Sequence, residues 1–279
     1  LAESRERAQR LIRAGLVVVG DRRVDKPGAR VPANAELRLK GDPCPYVSRG
    51  GLKLAGALAR FGLTNLAGLS ALDVGASTGG FTDCLLQHGA LRVWAVDTGR
   101  GQLHEKLRRN PRVTLLENAN ARHLDPTWLG GQTVDLAVID VAFISLRLIL
   151  PPLPSVLAPQ GRVLALVKPQ FEAGPADVGA GGVVRDRAVH SRVLGEILAF
   201  ARDGGWRVHG LCPSPLTGPA GNLEFFLHLS RSLGAERPLI GDDQIAIEQI
   251  LDEAYTLFTG RFLGQCAGPP VDERPVPET

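Results

Sequence analysis

The stretch Leu72-Asp-Val-Gly-Ala-Ser-Thr-Gly-Gly-Phe81 constrains this chain more than any other. An apolar strand-like run, 69–74, breaks into a loop of small residues that opens a helix. Gly75 and Gly79 carry no Cβ, so the backbone there can lie against a bound molecule at the carboxyl end of a strand, where open α/β sheets hold their ligands. Twenty-two residues beyond Gly75, Asp97 ends the next apolar run; an acid in that place accepts hydrogen bonds from ribose hydroxyls.

Further strands are predicted at 91–97, 112–116, 134–140, 161–167, 206–212 and 222–229, with helices in the gaps and an entry helix from about Gly51 to Phe61 stopped by Gly62. Strand and helix alternating in this way predict a doubly wound, mainly parallel sheet. The glycine spacing is not the Gly-x-Gly-x-x-Gly of dinucleotide enzymes, and no Gly-Lys-Ser/Thr phosphate loop occurs. Asp73-x-Gly75-x-x-x-Gly79 instead resembles the S-adenosylmethionine motif of Rossmann-like class I methyltransferases. The resemblance implies that Asp73, Gly75, Ala76, Ser77, Thr78, Gly79, Gly80 and Phe81 cradle that cofactor, that Asp97 holds its ribose, and that Asn120 meets the adenine edge. Thr98, Gln102 and Asp140 are further candidates; turn geometry accounts for Gln102 and Asn120 nearly as well.

The front of the chain reads differently. Through Lys53 there are twelve basic residues against six acidic ones, a local excess that the overall net charge of +3 averages away. Ser4–Ala14 reads as a helix, followed by short strands at Val17–Val19, Val24 and Leu37–Leu39. This order resembles the latter part of an S-four-type RNA-binding module over residues 1–40, truncated because its first helix would precede residue 1. Arg5, Arg10, Arg13, Arg22, Arg23 and Lys26, with Arg49, are the candidates for phosphate contacts; as a plain helix and hairpin the arginines would merely be solvated. The chain has no Met, so residue 1 is expected not to be the natural start. Residues 41–47, containing Gly-Asp-Pro-Cys-Pro, read as a linker, 48–232 as the catalytic domain, and 233–279 as a helix near 242–258 and a disordered Gly/Pro-rich tail.

Four charged residues stand where apolar packing would not put them: Lys53 on the entry helix, Asp140 and Lys168 at strand ends, and Glu224 in Asn-Leu-Glu-Phe-Phe. Isolated buried charges cost several kcal/mol, so a mutual Lys/Asp/Lys/Glu cluster is the economical arrangement, with Lys168 between Asp140 and Glu224. Such a cluster has a chemical use, because a ribose 2′-hydroxyl is too weakly acidic to attack a methyl group unaided. Lys168 would take its proton or stabilise the developing alkoxide, while Lys53 orients it.

These residues resemble the Lys-Asp-Lys-Glu tetrad of FtsJ-like RNA 2′-O-methyltransferases. Val47-Ser-Arg-Gly-Gly-Leu-Lys-Leu, Asp140-Val-Ala-Phe-Ile-Ser, Leu166-Val-Lys-Pro-Gln-Phe-Glu, Gly181-Gly-Val-Val and Gly221-Asn-Leu-Glu-Phe-Phe together resemble the TlyA, or haemolysin-like, family. That resemblance implies S-adenosylmethionine-dependent 2′-O-methylation of cytidine in ribosomal RNA or ribosomal subunits. It also implies a linker that couples the front module to cofactor binding; Tyr46 stands where mycobacterial members have Trp.

The family label raises a membrane-active alternative, and a non-catalytic ribosome-assembly factor is a third reading. No window of the sequence reaches the length of an uncharged membrane span, no signal-peptide core is present, and the expected location is the cytoplasm. The four cysteines lie far apart and the histidines are scattered, so no metal site is expected. His123 and His190 are expected at the surface. Phe143 is a candidate for stacking on a base or, equally, for burial between strand and helix, and Gly174–Gly182 reads as a flexible loop.

Overall fold

The computed structural model describes residues 2, 4–20, 22–32, 35–40, 44–231 and 243–263. The chain divides into two compact units, Leu1–Pro45 and Tyr46–Thr279. In the first, helix α1 (Arg5–Arg13) is followed by strands β1 (Val17–Val19), β2 (Arg22–Val24) and β3 (Leu37–Leu39), with β1 central and antiparallel to both neighbours. Gly15, at φ +65°, ends α1, and Leu16 N–H donates back to the Leu11 carbonyl in the closure that left-handed C-terminal glycines permit. Leu11 and Ile12 are half-buried, whereas Arg5, Arg10, Arg13, Arg22, Arg23 and Lys26 are all exposed.

The second unit opens with α2 (Gly50–Arg60) and β4 (Ser70–Val74), then α3 (Gly80–Gln87), β5 (Arg92–Val96), α4 (Glu105–Arg108), β6 (Val113–Leu116), β7 (Val134–Ile139) and β8 (Leu157–Val167). It continues with α5 (Pro169–Glu172), α6 (Arg187–Asp203), β9 (Trp206–Pro213), β10 (Phe225–Arg231) and α7 (Asp243–Leu263). The seven strands form one sheet in the order β6-β5-β4-β7-β8-β10-β9. All run parallel except β10, which is antiparallel to both β8 and β9.

Both faces of the sheet are covered, which is why its strands read as continuous apolar runs rather than alternating ones. Leu72, Val74, Ala137, Ile139, Phe225 and Leu227 point to the face packed by α6 and α7. Ala71, Leu136, Val138 and Phe226 point to the other, against Leu54 and Leu58 of α2 and Leu85 of α3. The expected strands all form, with two shifts: β8 begins at Leu157, and β10 begins at Phe225, so that Asn222–Glu224 precede it.

His190 is buried, contrary to its expected surface position. The reason is α7, whose Ile247, Leu251 and Ala254 join the core and whose Tyr255 lies against the imidazole with Phe225 on a second side. The proposed tail and most of the short linker motif lie outside the described residues. Among those described, no helix is long and apolar enough to cross a membrane.

Candidate active site

Two adjoining clefts open at the carboxyl edge of the sheet and share Gly75, Ser77, Asp140 and Ala142. The larger, about 700 Å³, is bounded by Val96, Asp97, Thr98, Gln102, Asn120 and Phe143 among others. The loop after β4 forms its floor because two backbone amides, of Gly75 and Ala76, donate to the Val96 carbonyl and bend the chain over β5. Gly75 is required there twice over: its φ is +86°, and a Cβ would stand 2.5 Å from the Asp140 carbonyl oxygen. Asp97 is held in place by Ser77 N–H at 2.8 Å and Gly99 N–H at 2.7 Å, one on each carboxylate oxygen. Each oxygen retains a lone pair for a ligand hydroxyl. An anchored carboxylate beside apolar walls such as Val96 and Ile149 suits a nucleoside, with the sugar at the acid and the ring in the apolar part.

Of the residues assigned to a cofactor, Gly75, Ser77, Asp97, Thr98, Gln102, Asn120 and Asp140 line this cleft, and Ala76, Thr78, Gly80 and Phe81 line its neighbour. Asp73 and Gly79 line neither. Gly79 serves packing: a Cβ on it would strike Leu107. Asn120 Oδ1 accepts from Arg122 N–H at 3.1 Å and so caps the turn 121–123.

Asp73 is the clearest departure from expectation. Strand alternation turns its side chain to the α3 face, where it is wholly buried and one oxygen accepts from Thr82 Oγ1 at 2.6 Å. Its other oxygen has no hydrogen-bond partner among the described residues. Burial pushes its pKa from 3.8 up to about 7, against the lowering by Thr82. Between these values the unfolded chain ionises while the folded one stays neutral, so stability falls as pH rises from about 4 to 7. A shift of this size corresponds to about 4 kcal/mol. An Asp73→Asn variant, compared with the parent by urea unfolding at pH 4.5 and pH 8, is expected to gain on it by that order at the higher pH; a difference independent of pH would refute the assignment.

The smaller cleft, about 330 Å³, gathers Lys53, Asp140, Lys168 and Glu224. Topology brings them together. Asp140 follows the last residue of β7 and Lys168 the last of β8, its parallel neighbour. Because β10 runs the other way, Phe225 pairs with Val167, and Glu224 enters beside Lys168 from the amino end of its strand. Lys53 reaches in from α2.

The four form two ion pairs rather than one lysine between two acids: Lys53 Nζ to Glu224 Oε2 at 2.5 Å, and Lys168 Nζ to Asp140 Oδ1 at 2.6 Å. Burial raises the pKa of Glu224, opposed chiefly by Lys53 and then by Lys168, which marks the two pairs as electrostatic neighbours.

Sequence reasoning missed Ser48, Thr217 and Pro219, which wall the smaller cleft. Thr217 and Pro219 lie in the turn-rich stretch Pro213–Gly221, which carries no motif of its own, and Ser48 lies inside Val47-Ser-Arg-Gly-Gly without a charge to mark it. Arg49 is exposed and borders this cleft. Phe143 is neither buried nor enclosed: it is 90% exposed, holds φ +62°, and leans on Phe171 at 5.0 Å between ring centres.

The sequence matches the FtsJ-like methyltransferase family over residues 46–231 and the S4 domain over residues 1–37. It is 46% identical over 230 residues to the 16S/23S rRNA (cytidine-2′-O)-methyltransferase TlyA of Mycobacterium tuberculosis, covering 82% of this chain and 85% of that one. Hemolysin A of Brachyspira hyodysenteriae is 37% identical, over 81% of this chain and 93% of its own. A solved structure from Streptococcus thermophilus, also named as a hemolysin, superposes with a TM-score of 0.78 at 45% identity over 94% of both chains. With the family match spanning the whole sheet and both clefts, the chain belongs to the FtsJ-like methyltransferase family.

Proposed function

We propose that this protein transfers a methyl group from S-adenosylmethionine to the 2′-hydroxyl of a cytidine ribose in ribosomal RNA. The observation that carries the reading is the pair of lysines, each with its own carboxylate, facing one cleft beside a nucleoside-sized one. The cytidine and the ribosomal substrate come from the TlyA relative, a 16S/23S rRNA (cytidine-2′-O)-methyltransferase.

The residues of the larger cleft fit the cofactor: Asp97 for its ribose hydroxyls, Asn120 and Gln102 for polar edges, and Gly75 for close approach of the backbone. When bound, S-adenosylmethionine supplies a methyl group on a positively charged sulfur, a good leaving group. Lys168 accepts the 2′-hydroxyl proton at Nζ after passing one of its own to solvent, and Asp140, 2.6 Å away, holds the ammonium that results. Lys53, fixed by Glu224, donates to the hydroxyl oxygen and turns its lone pair toward the methyl.

Residues 1–40 then serve as an RNA-docking module through Arg5, Arg10, Arg13, Arg22, Arg23 and Lys26. Residues 41–47 link it to the catalytic domain, 48–232, with Arg49 at the cleft mouth; of the stretch 233–279, α7 packs onto that domain's core. A ribosomal substrate implies work in the cytoplasm. The test is transfer of radiolabel from S-adenosylmethionine to ribosomal RNA and isolated subunits, followed by digestion to nucleosides. Labelled 2′-O-methylcytidine is expected; label on a base would overturn the assigned chemistry, and no label on any RNA would overturn the enzyme assignment.

A further inference from the structure

The β7–β8 ladder stops at Ile139 and Ala165, so Asp140 and Lys168 both stand beyond the last pair between their strands. Asp140 N–H still donates to the Val74 carbonyl and Val167 still pairs with Phe225, but past those points the alignment of the two side chains rests on how the following segments, 140–146 and 168–172, are held against each other. One side chain joins them by hydrogen bonds at the far end. Glu172, at the end of α5, accepts from Ser145 Oγ at 2.6 Å and from Leu146 N–H at 2.7 Å, using one carboxylate oxygen for each.

Between this tie and the ion pair, Phe143 leans on Phe171, and Lys168 Nζ lies 5.9 Å over the Phe171 ring. Phe143 holds a left-handed backbone, which costs a non-glycine residue about 1–2 kcal/mol and persists only where the surroundings over-determine it. Glu172 itself lines neither cleft.

We infer that Glu172 is a positioning residue: by bracing Ser145 and Leu146 it sets the segment that carries Asp140, and so aligns the Asp140–Lys168 pair for the reaction. This role rests on the proposed methyl transfer. It is separable from a charge effect, because a glutamine can keep both bonds, its carbonyl accepting from Leu146 N–H and its amide donating to Ser145 Oγ.

The test compares kcat for methyl transfer to ribosomal RNA in the full chain with Glu172→Ala, Glu172→Gln, Ser145→Ala and the double variant Ser145→Ala/Glu172→Ala. Glu172→Ala is expected to lower kcat about 100-fold, the scale of a misaligned reacting group, with its melting temperature close to the parent's. Ser145→Ala, losing one of two bonds, is expected to lose about tenfold. The double variant should be no worse than Glu172→Ala, and Glu172→Gln should retain most activity.

Full activity in Glu172→Ala, multiplied losses in the double variant, or a Glu172→Gln as inactive as the alanine would each overturn the role. Should Glu172→Ala fail to fold, Ser145→Ala and Glu172→Gln decide it: parental activity in the first or its collapse in the second refutes the brace. A parent chain that makes no 2′-O-methyl product fails the proposed function itself, whereas an active parent with indifferent variants fails only this inference.

Discussion

Lys168→Ala is expected to reduce kcat for methyl transfer at least about 1,000-fold, within the range that a positioned proton acceptor contributes. Binding of S-adenosylmethionine, followed by calorimetry, should change little, because Lys168 borders only the smaller cleft while Asp97, Gln102 and Asn120 line the larger. The substitution also leaves Asp140 without its 2.6 Å partner. Asp140→Asn, alone and combined with Lys168→Ala, separates that uncompensated charge from the lost amine: if the amine matters, the double variant is as inactive as Lys168→Ala and falls well below Asp140→Asn alone. A Lys168→Ala protein that still methylates at the parental rate would remove Lys168 from the mechanism.

Gly75→Ala is expected to damage the cofactor cleft and the fold together. The left-handed conformation costs an alanine about 1–2 kcal/mol, and forcing an added methyl into a filled space costs about 1–3 kcal/mol more. The obstacle at 2.5 Å is the backbone carbonyl of Asp140 on the neighbouring strand end, which cannot rotate away as a side chain would. For a domain of this size the sum corresponds to a fall in melting temperature of roughly 5–15 °C. Titrating S-adenosylmethionine into both proteins while following thermal unfolding tests it. The variant should show a markedly smaller ligand-induced rise, and an equal rise would mean that the loop after β4 is not the binding floor.

Much of this architecture was legible because parallel strands covered on both faces announce themselves. Val93–Val96, Leu136–Ile139 and Val163–Val167 are apolar without alternation, and each run ends at a charged residue. The tetrad was legible for a related reason: charges at such run-ends must find one another. Its pairing was not, since strand order and the reversal of β10 determine whether Lys168 meets Asp140 or Glu224, and both come from tertiary contacts. Asp73 misled because an acid beside a glycine loop looks the same in sequence whichever sheet face it occupies; only Thr82 on α3 reveals its direction. His190 misled because its cover, α7, comes more than fifty residues later.

The reversed strand also governs when the protein can become an enzyme during synthesis. In the finished sheet β10 lies between β8 and β9, both of which precede it in the chain, and among the described residues β9 pairs with no other strand. A nascent chain emerging from the ribosome can lay down β4 through β8 and shape the larger cleft, but β9 must wait without a neighbour until residues 225–231 arrive and slide into the gap. Glu224 travels with that last insertion, so Lys53 gains its carboxylate only then. Under the proposed mechanism, the Lys53–Glu224 pair is therefore the part of the site that waits longest for its chain.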